Sequence, residues 1–173
     1  MAKKKLSLRE FQESLVQRLT SARAGQATRA LLGVQAGRDH WLLDLADSGE
    51  IVPLPPLTGV PLTKSWFCGI ANIRGSLYSV ADFSAFQGGE ATPQNAESRL
   101  LIVGGRFGIN SALLVNRTLG LRNIDQMEKA RTVESDPRPW VGEQYVDAQG
   151  NAWKRLNLKH LLSQPDFLEI GLG

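Results

Sequence analysis

The 173-residue chain is poor in the residues that most protein chemistry needs: one cysteine (Cys68), two histidines (His40 and His160) and two methionines. A single cysteine excludes an intrachain disulfide framework and any cysteine-based zinc site. The two histidines lie far apart, without carboxylates at ligand spacing, so they make no metal site and read as surface or helix-end residues. No apolar run approaches the roughly 20 residues that a membrane helix needs. The N-terminus, MAKKKLSLREF, is basic and then amphipathic, and it lacks the apolar core and small-residue cleavage site of a secretory signal. A cytoplasmic location is therefore expected. What remains is ordinary: 42% apolar and 21% charged residues, which excludes global disorder.

The net charge of +3 and a pI of about 9.2 raise the idea of a nucleic-acid binder. The distribution of charge argues against it. Residues 1–29 hold seven basic side chains (Lys3, Lys4, Lys5, Arg9, Arg18, Arg23, Arg29) and two acids (Glu10, Glu13). The remaining residues carry 13 basic and 15 acidic side chains, a net of −2. That body lacks the basic face through which a binder releases counterions.

Catalytic patterns are missing as well. Cys68 sits in the apolar Trp66-Phe67-Cys68-Gly69 and reads as a small buried hydrophobe with no base beside it. Gly104-Gly105-Arg106 is followed by no Lys-Ser/Thr, so it reads as a hairpin turn and not a phosphate loop. Asp44 and Asp82 are isolated acids, and Asp82 is placed to cap or turn the chain. With no nucleophile elbow, metal-ligand helix or nucleotide fingerprint, the expectation is a binding module that is not an enzyme and carries no cofactor or metal. Trp66, Trp140 and Trp153 lie near strand or loop ends. Trp66, beside a proline-rich stretch, is expected to be the most exposed of them and a possible interface anchor.

Ser7-Leu-Arg-Glu10 is a capping-box signature. Leu8, Phe11, Leu15, Leu19 and Ala22 then follow at helical spacing, which predicts an amphipathic helix over about 8–23. From residue 30 the period becomes that of strands: Leu31–Gln35, His40–Leu45, Ile70–Ile73, Leu77–Val80, Arg99–Val103, Phe107–Val115, Leu119–Ile124, Trp140–Val146 and Ala152–Leu156. Trp41, Leu43 and Leu45 are read on one face, and His40, Leu42 and Asp44 on the other. Pro53, Pro55, Pro56 and Pro61 bar a central strand between residues 53 and 61. Residues 125–139 read as a long surface loop. Asn157 is placed to cap a last short helix with Leu158, Leu161 and Leu162 on its apolar face. Residues 87–98 lack any large apolar side chain and read as a linker. The expected organisation is a basic arm and helix over 1–29, a subdomain over 30–88, the linker, a second subdomain over 99–163 and a tail over 164–173. Many short strands spaced by Gly and Pro, in two groups, predict a mainly β chain of two small barrels sharing an interface.

One segment is distinctive: Gly69-Ile-Ala-Asn72-Ile-Arg74-Gly75, followed by strand residues to Val80 and then Asp82-Phe83. It resembles the hallmark of the CheW-like family of chemotaxis coupling proteins, a glycine and then Asn-x-Arg-Gly between two strands. Glu50-Ile51, Val60-Pro61 and Trp66-Phe67 are similar to further family positions, so the resemblance covers about residues 28–163. Ser79 departs from a common proline and Phe83 from the usual leucine. The N-terminal helix and the tail Gln164-Pro-Asp-Phe-Leu-Glu-Ile170 are most like the PilI branch, which serves type IV pilus systems. The resemblance implies two five-stranded SH3-like barrels and an adaptor joining a methyl-accepting chemotaxis receptor to the regulatory domain of a histidine kinase. It implies that Gly69, Asn72, Arg74 and Gly75 serve toward the receptor tip or for the turn that presents Arg74, and it implies a kinase-facing role for Glu50. Beside it stand two readings from the residues alone. Arg74 bonds its own carbonyls and Gly69 is simply a turn glycine; or the barrels bind nucleic acid or another protein.

Overall fold

The computed structural model describes residues 30–103, 108–130 and 136–172, together with Gln12. The helix expected over 8–23 and the Gly104-Gly105-Arg106 turn lie outside the described residues. Among the described residues, twelve strands and three short α-helices follow one another from Ala30. Strands β1 (Ala30–Ala36) and β2 (Asp39–Leu43) form the first hairpin. Next come β3 (Ser48–Pro53), β4 (Leu57–Thr58), β5 (Phe67–Ile73), β6 (Ser76–Asp82) and helix α1 (Phe83–Phe86). Strands β7 (Arg99–Val103), β8 (Ser111–Val115), β9 (Arg117–Asn123), β10 (Glu128–Lys129), β11 (Val141–Val146) and β12 (Ala152–Leu156) complete the sheets. Helices α2 (Leu158–Leu162) and α3 (Pro165–Leu168) close the chain.

The strands form two six-stranded sheets, ordered β10-β11-β12-β2-β1-β9 and β3-β7-β8-β6-β5-β4. The chain is mainly β, as expected. Period-2 alternation decides what each strand buries. Leu32, Val34, Trp41 and Leu43 face a core shared with Phe67, Ala81, Leu101, Leu113 and Val115 of the other sheet. Leu31 and Leu42 face the opposite way, onto Tyr145 and Trp153. In the second sheet Val80, Leu100 and Leu114 likewise turn away from the shared core into a cluster of their own. Leu45 lies past the end of β2 and is exposed, so it leaves the face it was read on.

Sheet membership does not follow the expected division at 87–98. The hairpin β1–β2 belongs with strands of the second half, through the parallel pair β12–β2. Strands β7 and β8 belong with the first half, through the parallel pair β6–β8. Residues 87–98 are not a free tether either. Asp82 is 4% exposed, and it accepts from the Thr92 backbone N–H at 2.7 Å and the Thr92 hydroxyl at 2.6 Å. It also caps α1 by accepting from the Ala85 N–H at 3.2 Å. Polar composition conceals such anchoring, because a buried carboxylate satisfied by a loop's own donors holds the loop without any apolar residue.

The prolines act as read: β3 and β4 are the two edge strands of their sheet. The tail, by contrast, changes the reading of Trp66. Phe167 of α3 stacks on Trp66 with ring centroids 5.8 Å apart and planes 9° apart, and Phe86 meets Trp66 edge-on at 5.0 Å. Gly171 then bridges Thr63. Trp66 is left 9% exposed, buried beneath the chain's own C-terminal segment.

Candidate functional site

Strands β5 and β6 pair in register down to Ile73 opposite Ser76, so Arg74-Gly75 is a two-residue turn. Both residues have positive φ, 51° and 85°. That is the type I′ geometry, whose twist suits a hairpin. Gly75 adopts it freely, whereas an arginine there carries roughly 1 kcal/mol of backbone strain. Asn72 offsets part of that cost, its side-chain oxygen accepting from the Gly75 N–H at 2.9 Å. The outcome is a guanidinium held at a hairpin tip with its side chain 72% exposed.

From that tip Arg74 donates through Nη2 to Oε2 of Glu50. Glu50 lies on edge strand β3, whereas Arg74 follows β5, next to the opposite edge. The contact therefore joins strands that the sheet order separates, and the sheet curls to bring them together. The structure thus groups four expected site residues, Glu50, Asn72, Arg74 and Gly75, into one exposed patch. An ion pair this open to solvent contributes between 0 and about 1 kcal/mol. It is poor cement and remains available to exchange partners.

Gly69 stands apart from the patch. It has φ 124° at a bulge in the β5–β6 pairing, and a Cβ there would lie 2.3 Å from the Thr58 carbonyl oxygen. The space beside it is taken by β4 of its own chain, so the close approach it permits is internal.

The other candidates for chemistry are accounted for locally. Burial, with the Asp82 charge second, pushes the Cys68 thiol up to about 11, which keeps it protonated. The His40 ring packs on Trp153 with centroids 4.9 Å apart, and His160 Nδ1 lies 3.1 Å from the Pro139 carbonyl. Among the described residues no group of three His, Cys, Asp or Glu could hold a metal ion. None of their helices is long and apolar enough to cross a membrane.

Reading 125–139 as a surface loop missed a second arginine cluster. Arg138 donates through Nη2 to Asp136 at 2.6 Å, and through Nη1 to Asp39 at 3.2 Å and Gln87 at 2.6 Å. Its guanidinium carbon lies 5.3 Å from the centre of the Trp41 ring. Lys154 joins from β12, 3.3 Å from Asp39. Arg138 and Lys154 together thus tie β2, the end of α1, the 136–139 segment and β12. Hydrogen bonding from Arg138 holds the Asp136 carboxyl well below the usual carboxylate range. The Asp136-Pro-Arg138-Pro run was the available signal: two prolines pre-set the backbone around a charge pair.

Residues 30–166 match the family model described as CheW-like domain. The chain belongs to this family. It is 28% identical to the protein PilI of Pseudomonas aeruginosa over 144 residues, which is 82% of this chain and 79% of that protein. Its fold is similar to that of the scaffolding protein TtCheW from Thermoanaerobacter tengcongensis, with a TM-score of 0.65, 20% identity, and coverage of 80% of this chain and 94% of the other. The Glu50–Arg74 patch lies within the CheW-like region.

Proposed function

We propose that this CheW-like protein is a cytoplasmic, non-catalytic adaptor that couples a methyl-accepting chemotaxis receptor to the regulatory domain of a histidine kinase, in a chemosensory system controlling type IV pili. Its two sheets are taken as two SH3-like barrels that share the central core. The likeness to PilI supports the pilus assignment, and the family supports the adaptor class.

One observation carries the assignment of the site: an arginine kept at positive φ where glycine or asparagine would be easier. Strain retained at an exposed turn implies that the side chain serves something other than the turn. A guanidinium on a rigid base offers forked donors to carboxylates or carbonyls of a helical receptor tip. Glu50 presents the opposite charge to the kinase domain. The two share one ion pair, so a partner that engages either side chain competes with the other for it. Asn72 and Gly75 serve by holding the turn.

Titration calorimetry tests the assignment. Arg74→Ala is expected to weaken binding of a receptor-tip fragment about tenfold, the loss of one charge-assisted contact of about 1.4 kcal/mol, with the fold intact and a stability loss of less than about 1 kcal/mol. Glu50→Lys is expected to weaken binding of the kinase regulatory domain by at least as much. Unchanged affinity in either titration removes that residue from its interface.

A further inference from the structure

A cleft of about 680 Å3 opens where the β1–β2 turn faces the end of α1 and the segment that follows it. Neither Glu50 nor Arg74 lines it. Its walls are fixed from within: Thr92 is tied to Asp82, and Asn116 Oδ1 accepts from the Gly37 N–H at 2.8 Å. Ser84 lines the cleft from α1 and is 3% exposed. A hydroxyl so buried normally finds a partner in its own protein. Among the described residues none hydrogen-bonds Ser84 Oγ. Two glycines keep the space around it. A Cβ on Gly37 would lie 2.5 Å from Ser84 Oγ, and one on Gly89 would lie 2.7 Å from it.

The neighbouring groups are mostly donors. Asn116 has its oxygen committed to Gly37, which leaves its amide nitrogen to donate. Arg38 is exposed on the turn and pairs with no carboxylate among the described residues. Arg117 donates through Nε to the neutral Gln35 Oε1 at 2.7 Å, and Gln35 Nε2 donates to the Gly37 carbonyl at 3.2 Å. A second guanidinium without a counter-charge therefore stands beside the same turn. Of the acids in the walls, Asp39 is taken by Arg138 and Lys154, whereas the exposed Glu90 meets no cation among the described residues. Uncompensated guanidinium, amide and hydroxyl donors suit the oxygens of a phosphate. A lone carboxylate suits a ligand's hydroxyl groups. The volume exceeds that of a bare ion and fits a small organic molecule. We propose that this cleft binds a small phosphorylated polyol of the sugar-phosphate class. Ser84, Asn116 and Arg38 take the phosphate, Arg117 adds charge from the rim, and Glu90 accepts from a sugar hydroxyl. The ligand lies between the hairpin of one sheet and the helix that leaves the other, so it braces their junction.

Amide chemical shifts of the full chain, titrated with ribose 5-phosphate, test the proposal. Saturable shifts are expected at Gly37, Arg38, Gly89 and Glu90 and not at the β5–β6 hairpin, with half-saturation at about 1 mM or below. Inorganic phosphate is expected to move the same amides about tenfold more weakly, and ribose to move none. Ser84→Ala deletes a hydroxyl without a protein partner, so the melt is expected to hold while affinity falls about tenfold. Arg38→Ala, on an exposed turn, is expected to cost as much. Glu90→Gln is expected to weaken ribose 5-phosphate and not inorganic phosphate. Shifts that never saturate overturn the proposal, as do shifts unchanged in both Ser84→Ala and Arg38→Ala. Equal binding of inorganic phosphate and ribose 5-phosphate overturns the sugar-phosphate assignment and leaves an adventitious ion only.

Discussion

Two arginines in this CheW-like protein bind carboxylates under opposite conditions. Arg74 sits at a hairpin tip, strained at φ 51°, and meets Glu50 with most of its side chain in water. Arg138 is 21% exposed, meets Asp136 and Asp39, and lies over Trp41. Coulomb attraction is weak at the first site and screened by salt, whereas desolvation makes each partner at the second expensive to remove. The same pair of functional groups is therefore an exchangeable contact in one place and a clamp in the other. Burial decides which.

The widest separation between the two sites is expected in the melts. Arg138→Ala leaves Asp136 and Asp39 short of donors, Gln87 Oε1 without one of its two donors, and the Trp41 face uncovered. A loss of about 3 kcal/mol is expected, seen as a shift of the urea midpoint with an unchanged slope. A loss below about 1 kcal/mol would place Arg138 in the same class as Arg74 and dissolve the distinction.

A smaller effect concerns acid. Asp136 has a depressed carboxyl in the fold, so the unfolded chain binds its proton first as pH falls. The stability it contributes is fully present above the usual carboxylate range and is lost as pH drops through that range toward the depressed value. Asp136→Asn is expected to lower the melting temperature at pH 7 while flattening its decline between about pH 5 and pH 2. A parallel decline in both proteins would detach Asp136 from acid sensitivity.

Much of the clamp escaped the sequence and much of the hairpin did not, for a physical reason. Asn72, Arg74 and Gly75 act through neighbours in sequence, where turn chemistry is local and readable. So do Asp82 and Asn157 as helix caps, and Trp41 against Leu42 as opposite faces of a strand. Arg138 acts through Asp39 and Gln87, 99 and 51 residues away. The parallel pairs β12–β2 and β6–β8 are also non-local, with Trp153 opposite His40 and Ser111 opposite Ser79, which is why the sheets cross the apparent boundary at 87–98. Trp66 was misread for the same cause: its cover, Phe167, arrives from 101 residues downstream. Glu50 and Arg74 were each legible as candidates, but their pairing depends on how the sheet curls. Side-chain period sets a strand's faces and is silent on its neighbours.

The smallest effect on stability is the sharpest test of function. Arg74→Gly removes the side chain and relieves the positive-φ strain together. Losing an exposed ion pair costs less than about 1 kcal/mol, and removing left-handed strain returns about the same, so the melt is expected to stay level or rise slightly. Arg74→Ala keeps the strain and loses the pair, so it falls about 1 kcal/mol below Arg74→Gly. Both are expected to weaken receptor-tip binding equally, because binding follows the guanidinium and not the turn. If Arg74→Gly binds as the natural chain does while Arg74→Ala does not, the turn is what the partner reads, and Arg74 joins Asn72 and Gly75 as a shaping residue.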